Sequence, residues 1–139
     1  MRIRPFEEAD EPAVIDLWHR CGLLRPWNDP HKDIARKLKV QRDLFLVGLI
    51  DGVIVAAAMS GYDGHRAWVN YLAIDPQQRR RGLGRAMMDE IEQRVQALGC
   101  PKVNLQIRRD NLDVVRFYQS LGYVEDAAIS MGKRLEKDD

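Results

Sequence analysis

Apolar residues recur along this chain with two different periods, and the switches between them mark the elements. Met1–Arg4 reads as a short strand. Val14, Leu17, Trp18 and Cys21 then fall at i, i+3, i+4 and i+7, one face of a helix that Gly22 ends. Asp10-Glu11-Pro12 offers that helix an N-cap and a first-turn proline, whose missing N–H costs nothing there. After the irregular Leu23–Pro30 stretch, Asp29-Pro30 opens a second helix with Ile34 and Leu38 as its buried face. Leu44–Ile50 and Val53–Ser60 flank Asp51-Gly52, a strong hairpin signal. Gly61–Arg66 forms another turn-rich link, and Ala67–Ile74 reads as a long strand stopped by Asp75-Pro76. Leu83, Met87, Ile91, Val95 and Leu98 give a helix that starts near Gly82–Gly84 and ends at Gly99. Lys102–Ile107 alternates as a strand, and Asn111 caps a short helix carrying Val114, Phe117, Tyr118 and Leu121. Tyr123-Val124 and Ile129–Arg134 complete the pattern as a final strand pair.

The expected fold is therefore α/β (α+β by some schemes), a mixed and mostly antiparallel sheet of six to seven strands with about four helices on both faces. The unit from Ala67 to Ile107 supplies one parallel crossover. With 139 residues and no linker-like or repeated stretch, the reading is a single domain over 1–139. The 45% hydrophobic and 31% charged content is that of an ordinary globular chain. Lys and Arg number 22 against 21 Asp and Glu, a balance that speaks against nucleic-acid and membrane-surface partners. No apolar run is long enough to span a bilayer, the first residues lack a secretory h-region, and a cytoplasmic setting is the expectation. Cys21 and Cys100 lack ligand spacing and read as packed thiols; His19, His31 and His65 lack metal spacing, so no metal is expected.

The chemistry concentrates in Ile74-Asp75-Pro76-Gln77-Gln78-Arg79-Arg80-Arg81-Gly82-Leu83-Gly84. A buried strand ends there and a glycine-bearing turn opens directly into an amphipathic helix. The first amides of such a helix converge unpaired, and its dipole adds partial positive charge. The result is a cradle for an anion such as a pyrophosphate. A dinucleotide fingerprint fails because Met87 occupies the third small position, and no P-loop sequence exists.

Hydrophobic-Asp-Pro-x-x-Arg-x-x-Gly-x-Gly, followed by Asn111 through Tyr118 to Gly122-Tyr123, resembles the GNAT superfamily of acyl-CoA-dependent N-acetyltransferases. Leu23–Pro30 and Gly61–Arg66 are most similar to its small YpeA-like bacterial branch. The resemblance implies that Arg79, Gly82, Leu83, Gly84 and Arg85 hold the diphosphate of acetyl-CoA, with Arg80 and Arg81 either contacting its phosphates or simply solvated. It implies that backbone amides of Leu72, Ala73 and Ile74 hold the pantetheine and polarise the thioester. It also implies that the strand Val69–Ile74 splays from Val103–Ile107 to admit the arm, which Asn111 contacts.

Acyl transfer to an amine needs a neutral nucleophile, a polarised carbonyl and a proton for the departing sulfur. Asn111 and Tyr118 lie seven residues apart, nearly two helical turns, and share a face. Tyr118 is the expected general acid, for direct attack by a primary amine in a ternary complex. A phenol with pKa about 10 is a weak acid towards a thiolate of about 8.5, so positioning matters more than driving force. The ribosomal branch of the family often has Glu where this chain has Gln106, which cannot serve as a base. Asp63 and His65 are candidate bases, or simply a turn and an exposed histidine. Trp27, Asn28 and Asp29 lie where the resemblance puts the acceptor side; an aromatic beside a carboxylate suits a cationic amine, and a structural staple with a helix cap explains them as well. A catalytically silent acyl-CoA-binding module is the alternative function, and the last strands offer an edge for a homodimer.

Overall fold

Asp51 and Gly52 both adopt positive φ (51° and 76°), the mirror-image turn whose twist suits antiparallel strands. They join β2 (Phe45–Ile50) to β3 (Val53–Tyr62). A computed structural model of the protein describes residues 1–138. In it the sheet runs β1-β2-β3-β4-β5, with β1 at Arg2–Pro5, β4 at Ala67–Ile74 and β5 at Val103–Leu105. Neighbours pair antiparallel up to β4, and β4 pairs parallel with β5. The helices are α1 (Glu11–Arg20), α2 (Pro30–Lys37), α3 (Leu83–Ala97) and α4 (Leu112–Ser120). The chain divides into two compact units: Met1–Leu105 with Asp138, which holds the sheet and α1 to α3, and Gln106–Lys137, which holds α4.

In the larger unit both faces of the sheet are covered. Phe45, Val47, Ala57, Met59 and Ala73 pack with Val14, Leu17 and Trp18 of α1 and Ile34 of α2. The alternate positions Leu46, Ala56 and Ala58 are as fully buried, on the face where α3 lies against β3 and β4. Trp18 stacks between Phe45 and Tyr71, at ring distances of 6.2 and 4.1 Å. It is wholly buried, and its removal would cost about 3–5 kcal/mol. Arg36 of α2 grips the Asp138 carboxylate through two hydrogen bonds of 2.8 and 2.7 Å.

The sheet has five strands, not six to seven. The expected strand over Lys102–Ile107 is formed only at Val103–Leu105. Tyr123-Val124 and Ile129–Arg134 are irregular, and with them goes the strand edge expected to serve a homodimer. No tight-turn dipeptide joins those two segments, and Ile129 and Met131 are each 90% exposed, so no packed face holds them in register. In the same unit the Gln106 amide donates to the Ser130 hydroxyl. Asp10 does not cap α1. It ends a one-turn 3-10 helix (Glu8–Asp10) in right-handed conformation, and its carboxylate accepts from Arg4 at 2.7 and 3.0 Å and from the Glu7 amide at 2.8 Å. Arg4, six residues back, and the Glu7 amide engage the carboxylate in place of the α1 cap. Asp29 caps α2 as expected, accepting from the amides of His31 and Lys32 at 2.9 and 3.2 Å.

Candidate active site

In the larger unit, the path of β4 sets up the stretch expected to meet the coenzyme. Ala57 pairs with Ala73 and Met59 with Asn70, so Tyr71 and Leu72 together face the single Ala58. This is a β-bulge, and Tyr71 takes a left-handed φ of 56° to make it. Two contacts hold the strained residue: its ring stacks on Trp18, and its hydroxyl donates to Asp33 Oδ2 at 2.7 Å. Burial, reinforced by Asp33, raises the Tyr71 phenol above its ordinary range. Pairing of β4 with β5 ends at Val69–Leu105, and beyond it Asn70–Ile74 have no strand partner on that side among the described residues. β5 itself ends at Leu105, and Val69 is still paired with it, so the strand pairing shows no parting of Val69–Ile74 from Val103–Ile107. Of the strand residues expected at the coenzyme, Ala73 is buried and Leu72 and Ile74 are partly exposed. The Ile74 carbonyl accepts from Cys21 Sγ at 3.2 Å.

The chain then turns at Asp75. Its carboxylate accepts from the Gln77 amide at 2.9 Å and pairs with Arg20 at 3.0 Å. The Gln77 amide, against the opposing effect of burial and with help from Arg20, holds this carboxyl below the usual range. A single 3-10 turn, Pro76–Gln78, leads into extended Arg79. Arg80 and Gly82 both have positive φ (66° and 76°), and Arg81 between them does not. A turn of this kind directs successive N–H groups towards one point, the form of an anion nest. Gly82 is the N-cap of α3 and supplies no side chain to cap it. A Cβ there would meet no atom within 4 Å, so the backbone faces open space. Arg79, Arg80 and Arg81 are exposed, and the Arg81 guanidinium donates to Gln78. A nest, an uncapped helix start and adjacent cations fit the diphosphate of coenzyme A.

The smaller unit holds Asn111 and Tyr118. Asn111 caps α4 through Val114 N–H at 3.4 Å. Tyr118 is 6% exposed, with its ring edge-on to Phe117 and Tyr123 at 5.0 and 5.6 Å. Its hydroxyl has no hydrogen-bond partner among the described residues. Burial pushes the phenol well above its ordinary value, so the proton stays on oxygen at every physiological pH.

Among the candidate bases, the Asp63 carboxylate accepts from the amides of His65 and Arg66 at 2.7 and 2.8 Å, and these bonds hold its pKa low. Asp63 thus fixes the turn, and His65 is exposed within it. Trp27 is 46% exposed in a turn closed by the Asn28 amide on Arg25 O at 3.0 Å, while Asp29 is engaged in its cap. A groove of about 280 Å³ opens elsewhere in the larger unit, between the end of α2 and the paired ends of β3 and β4. Asp63 lines it, and so do Lys37, Trp68 and Asn70, which the sequence reading did not single out. Polar or aromatic residues at alternate positions of an otherwise buried strand are the signal that would have found Trp68 and Asn70.

Residues 8–123 match the acetyltransferase (GNAT) family. An acetyltransferase of Pectobacterium atrosepticum is 49% identical over 138 residues, covering 99% of this chain and 98% of that protein. The crystal structure of the ribosomal-protein-S18-alanine N-acetyltransferase from Escherichia coli is 26% identical, with a TM-score of 0.76, over 91% of this chain and 79% of that one. The structure of AAC(6')-Iy, solved with a CoA-containing bisubstrate analogue, shares the fold at a TM-score of 0.78 and 17% identity, over 96% of this chain and 97% of that one. No helix among the described residues is long and apolar enough to cross a membrane.

Proposed function

Since this chain belongs to the GNAT acetyltransferase family, and is therefore an acyltransferase, we propose that it moves an acetyl group from acetyl-CoA to a primary amine by direct attack in a ternary complex. The observation that carries this reading is the nest at Arg80–Gly82 opening α3, reached from a strand that is unpaired with β5 beyond Val69. In this reading the amides from Arg80 to Arg85 hold the diphosphate, with Arg79, Arg80 and Arg81 adding charge. The strand amides of Leu72, Ala73 and Ile74 receive the pantetheine and the thioester oxygen. Asn111 caps its helix and contacts the pantetheine arm.

The amine nitrogen adds to the thioester carbon, and the carbonyl pair moves to oxygen, where amide donors stabilise it. On collapse the C–S bond breaks with its electron pair on sulfur, which takes the proton of the Tyr118 phenol. The proton lost by the nitrogen leaves through Asp63, His65 or water. Tyr118 fits the acid role because it is fully protonated, and its raised pKa makes orientation the decisive factor.

Tyr118→Phe tests the assignment. Turnover should fall about 10²-fold or more, while the acetyl-CoA Kd measured by calorimetry stays within about twofold. The wild-type kcat profile should show no falling limb near pH 10, because a phenol held above its ordinary value keeps its proton there. Unchanged turnover in the variant would remove Tyr118 from the reaction.

A further inference from the structure

The groove at the end of α2 holds a cation that makes no hydrogen bond or ion pair among the described residues. It is Lys37, half-buried in the last turn of α2. The Nζ lies over the strand at Gly61, where a Cβ would stand 3.3 Å from it. A lysine serving only solubility would reach into water; this one gives up part of its hydration for an apolar wall. Burial lowers its pKa, and Asp43 offsets part of that effect. The wall is fixed by Gln41, whose amide donates to Tyr62 O and accepts from Tyr62 N, both at 2.8 Å. Gly61 pairs with Trp68 and Met59 with Asn70, so these side chains share one face. Val40 and Trp68 leave apolar surface open to the groove, at 61% and 39% exposure.

We propose that this groove takes the amine substrate, and that the substrate is an amino-carboxylate with an apolar side chain whose carboxylate pairs with Lys37. The inference rests on the acetyltransferase reading and deepens it. Asn70 ends the groove on β4, and the stretch assigned to the thioester, Leu72–Ile74, follows directly across the bulge. An acceptor lying along Trp68 towards Asn70 therefore runs along the strand that carries the acyl group. A carboxylate suits the site better than a phosphate dianion: Lys37 offers a single positive charge, and the Asp63 carboxylate on the same lining opposes a second negative one. Val40, Met59 and Trp68 accept the apolar body.

Three matched probes test this on the full chain with coenzyme A present: L-phenylalanine, L-phenylalaninamide and 2-phenylethylamine. Binding is read by NMR at the Trp68 indole N–H, without turnover. Phenylalanine should bind about tenfold or more tightly than the other two, the scale of one charge-assisted hydrogen bond. Lys37→Met should erase that preference and Lys37→Arg should keep it. Gly61→Val, which displaces the ammonium without removing its charge, should weaken it. Coenzyme affinity should hold in all three, and circular dichroism checks that each folds. Equal affinity for the three probes, a preference that survives Lys37→Met, or shifts that bypass Trp68 would overturn the assignment. Carboxylate-selective binding without any acetyl transfer would instead sink the proposed reaction and leave the groove's specificity standing. Transfer to amines without that selectivity would do the reverse.

Discussion

Gly82 and Gly52 form a matched pair for testing whether the mouth of α3 is a ligand site. Both have φ of 76°, and a Cβ built on either meets no protein atom within 4 Å. Alanine at each position therefore introduces backbone strain and no clash. Left-handed geometry costs an L-residue about 1–2 kcal/mol, and the less flexible unfolded chain offsets about 0.4–1 kcal/mol of it. A net loss of about 1 kcal/mol remains, or a Tm lower by about 3 °C for a domain of this size. Urea unfolding should find the two variants destabilised alike.

Coenzyme binding should separate them. Gly52 sits in the β2–β3 hairpin, so Gly52→Ala should leave the acetyl-CoA Kd unchanged. Gly82→Ala puts a methyl group on the nest and biases its N–H groups away from convergence. If two to three amide–phosphate bonds of about 1 kcal/mol each are lost, the Kd rises about 30-fold to 150-fold. Calorimetry on both folded variants measures this directly. A Gly82→Ala protein that binds acetyl-CoA as tightly as Gly52→Ala would refute the cradle, because the shared strain would then be the only consequence of the substitution.

Other expectations follow from the scaffold that positions these parts. Asp10 is under two opposing influences, burial raising its pKa and the Arg4 and Glu7 bonds lowering it, and the bonds win. A carboxyl depressed on folding stabilises above its unfolded value of about 4 and loses that contribution as pH falls through the folded value. Asp10→Asn should cost about 1–3 kcal/mol at pH 7 and flatten the stability loss as pH falls below about 4, read from urea unfolding at each pH; an unaltered acid limb would contradict this. Tyr71→Phe keeps the Trp18 stack and deletes only the 2.7 Å bond to Asp33. It should lower stability by about 1–2 kcal/mol with an unchanged urea m-value, and wild-type stability would show that the bond does not anchor the bulge.

What the sequence revealed was what the chain builds from near neighbours. Asp51-Gly52, the Asp29 cap, the Asn111 cap and the glycine at the start of α3 are each formed within a few residues, and the structure forms all four. Features needing a partner beyond the adjoining turn stayed hidden. Asp10 looks like a cap until Arg4 across the β1 connection is brought beside it. Lys37 and Trp68 share a groove only through the register that sets Trp68 opposite Gly61. The last strands fail for the converse reason: alternation predicts a strand, yet no packed face receives Ile129 and Met131.

The bulge in β4 belongs to neither class and bears most on function. Ala67–Ile74 contains no glycine to mark a break, and a bulky residue at φ 56° costs about 1–2 kcal/mol that a regular strand would avoid. Glycine at position 71 would remove the strain and the two contacts together. The chain instead keeps a tyrosine that stacks on buried Trp18 and reaches Asp33, contacts worth about as much as the strain they offset. A residue whose side chain compensates for its own backbone distortion fixes the bend in one geometry, where glycine would let it fluctuate. That fixed bend lies between Asn70, at the end of the groove, and Leu72–Ile74, the stretch proposed to meet the thioester. Acyl transfer between bound partners gains most from such rigidity, since an error of about 1 Å in approach can cost about 10²-fold in rate.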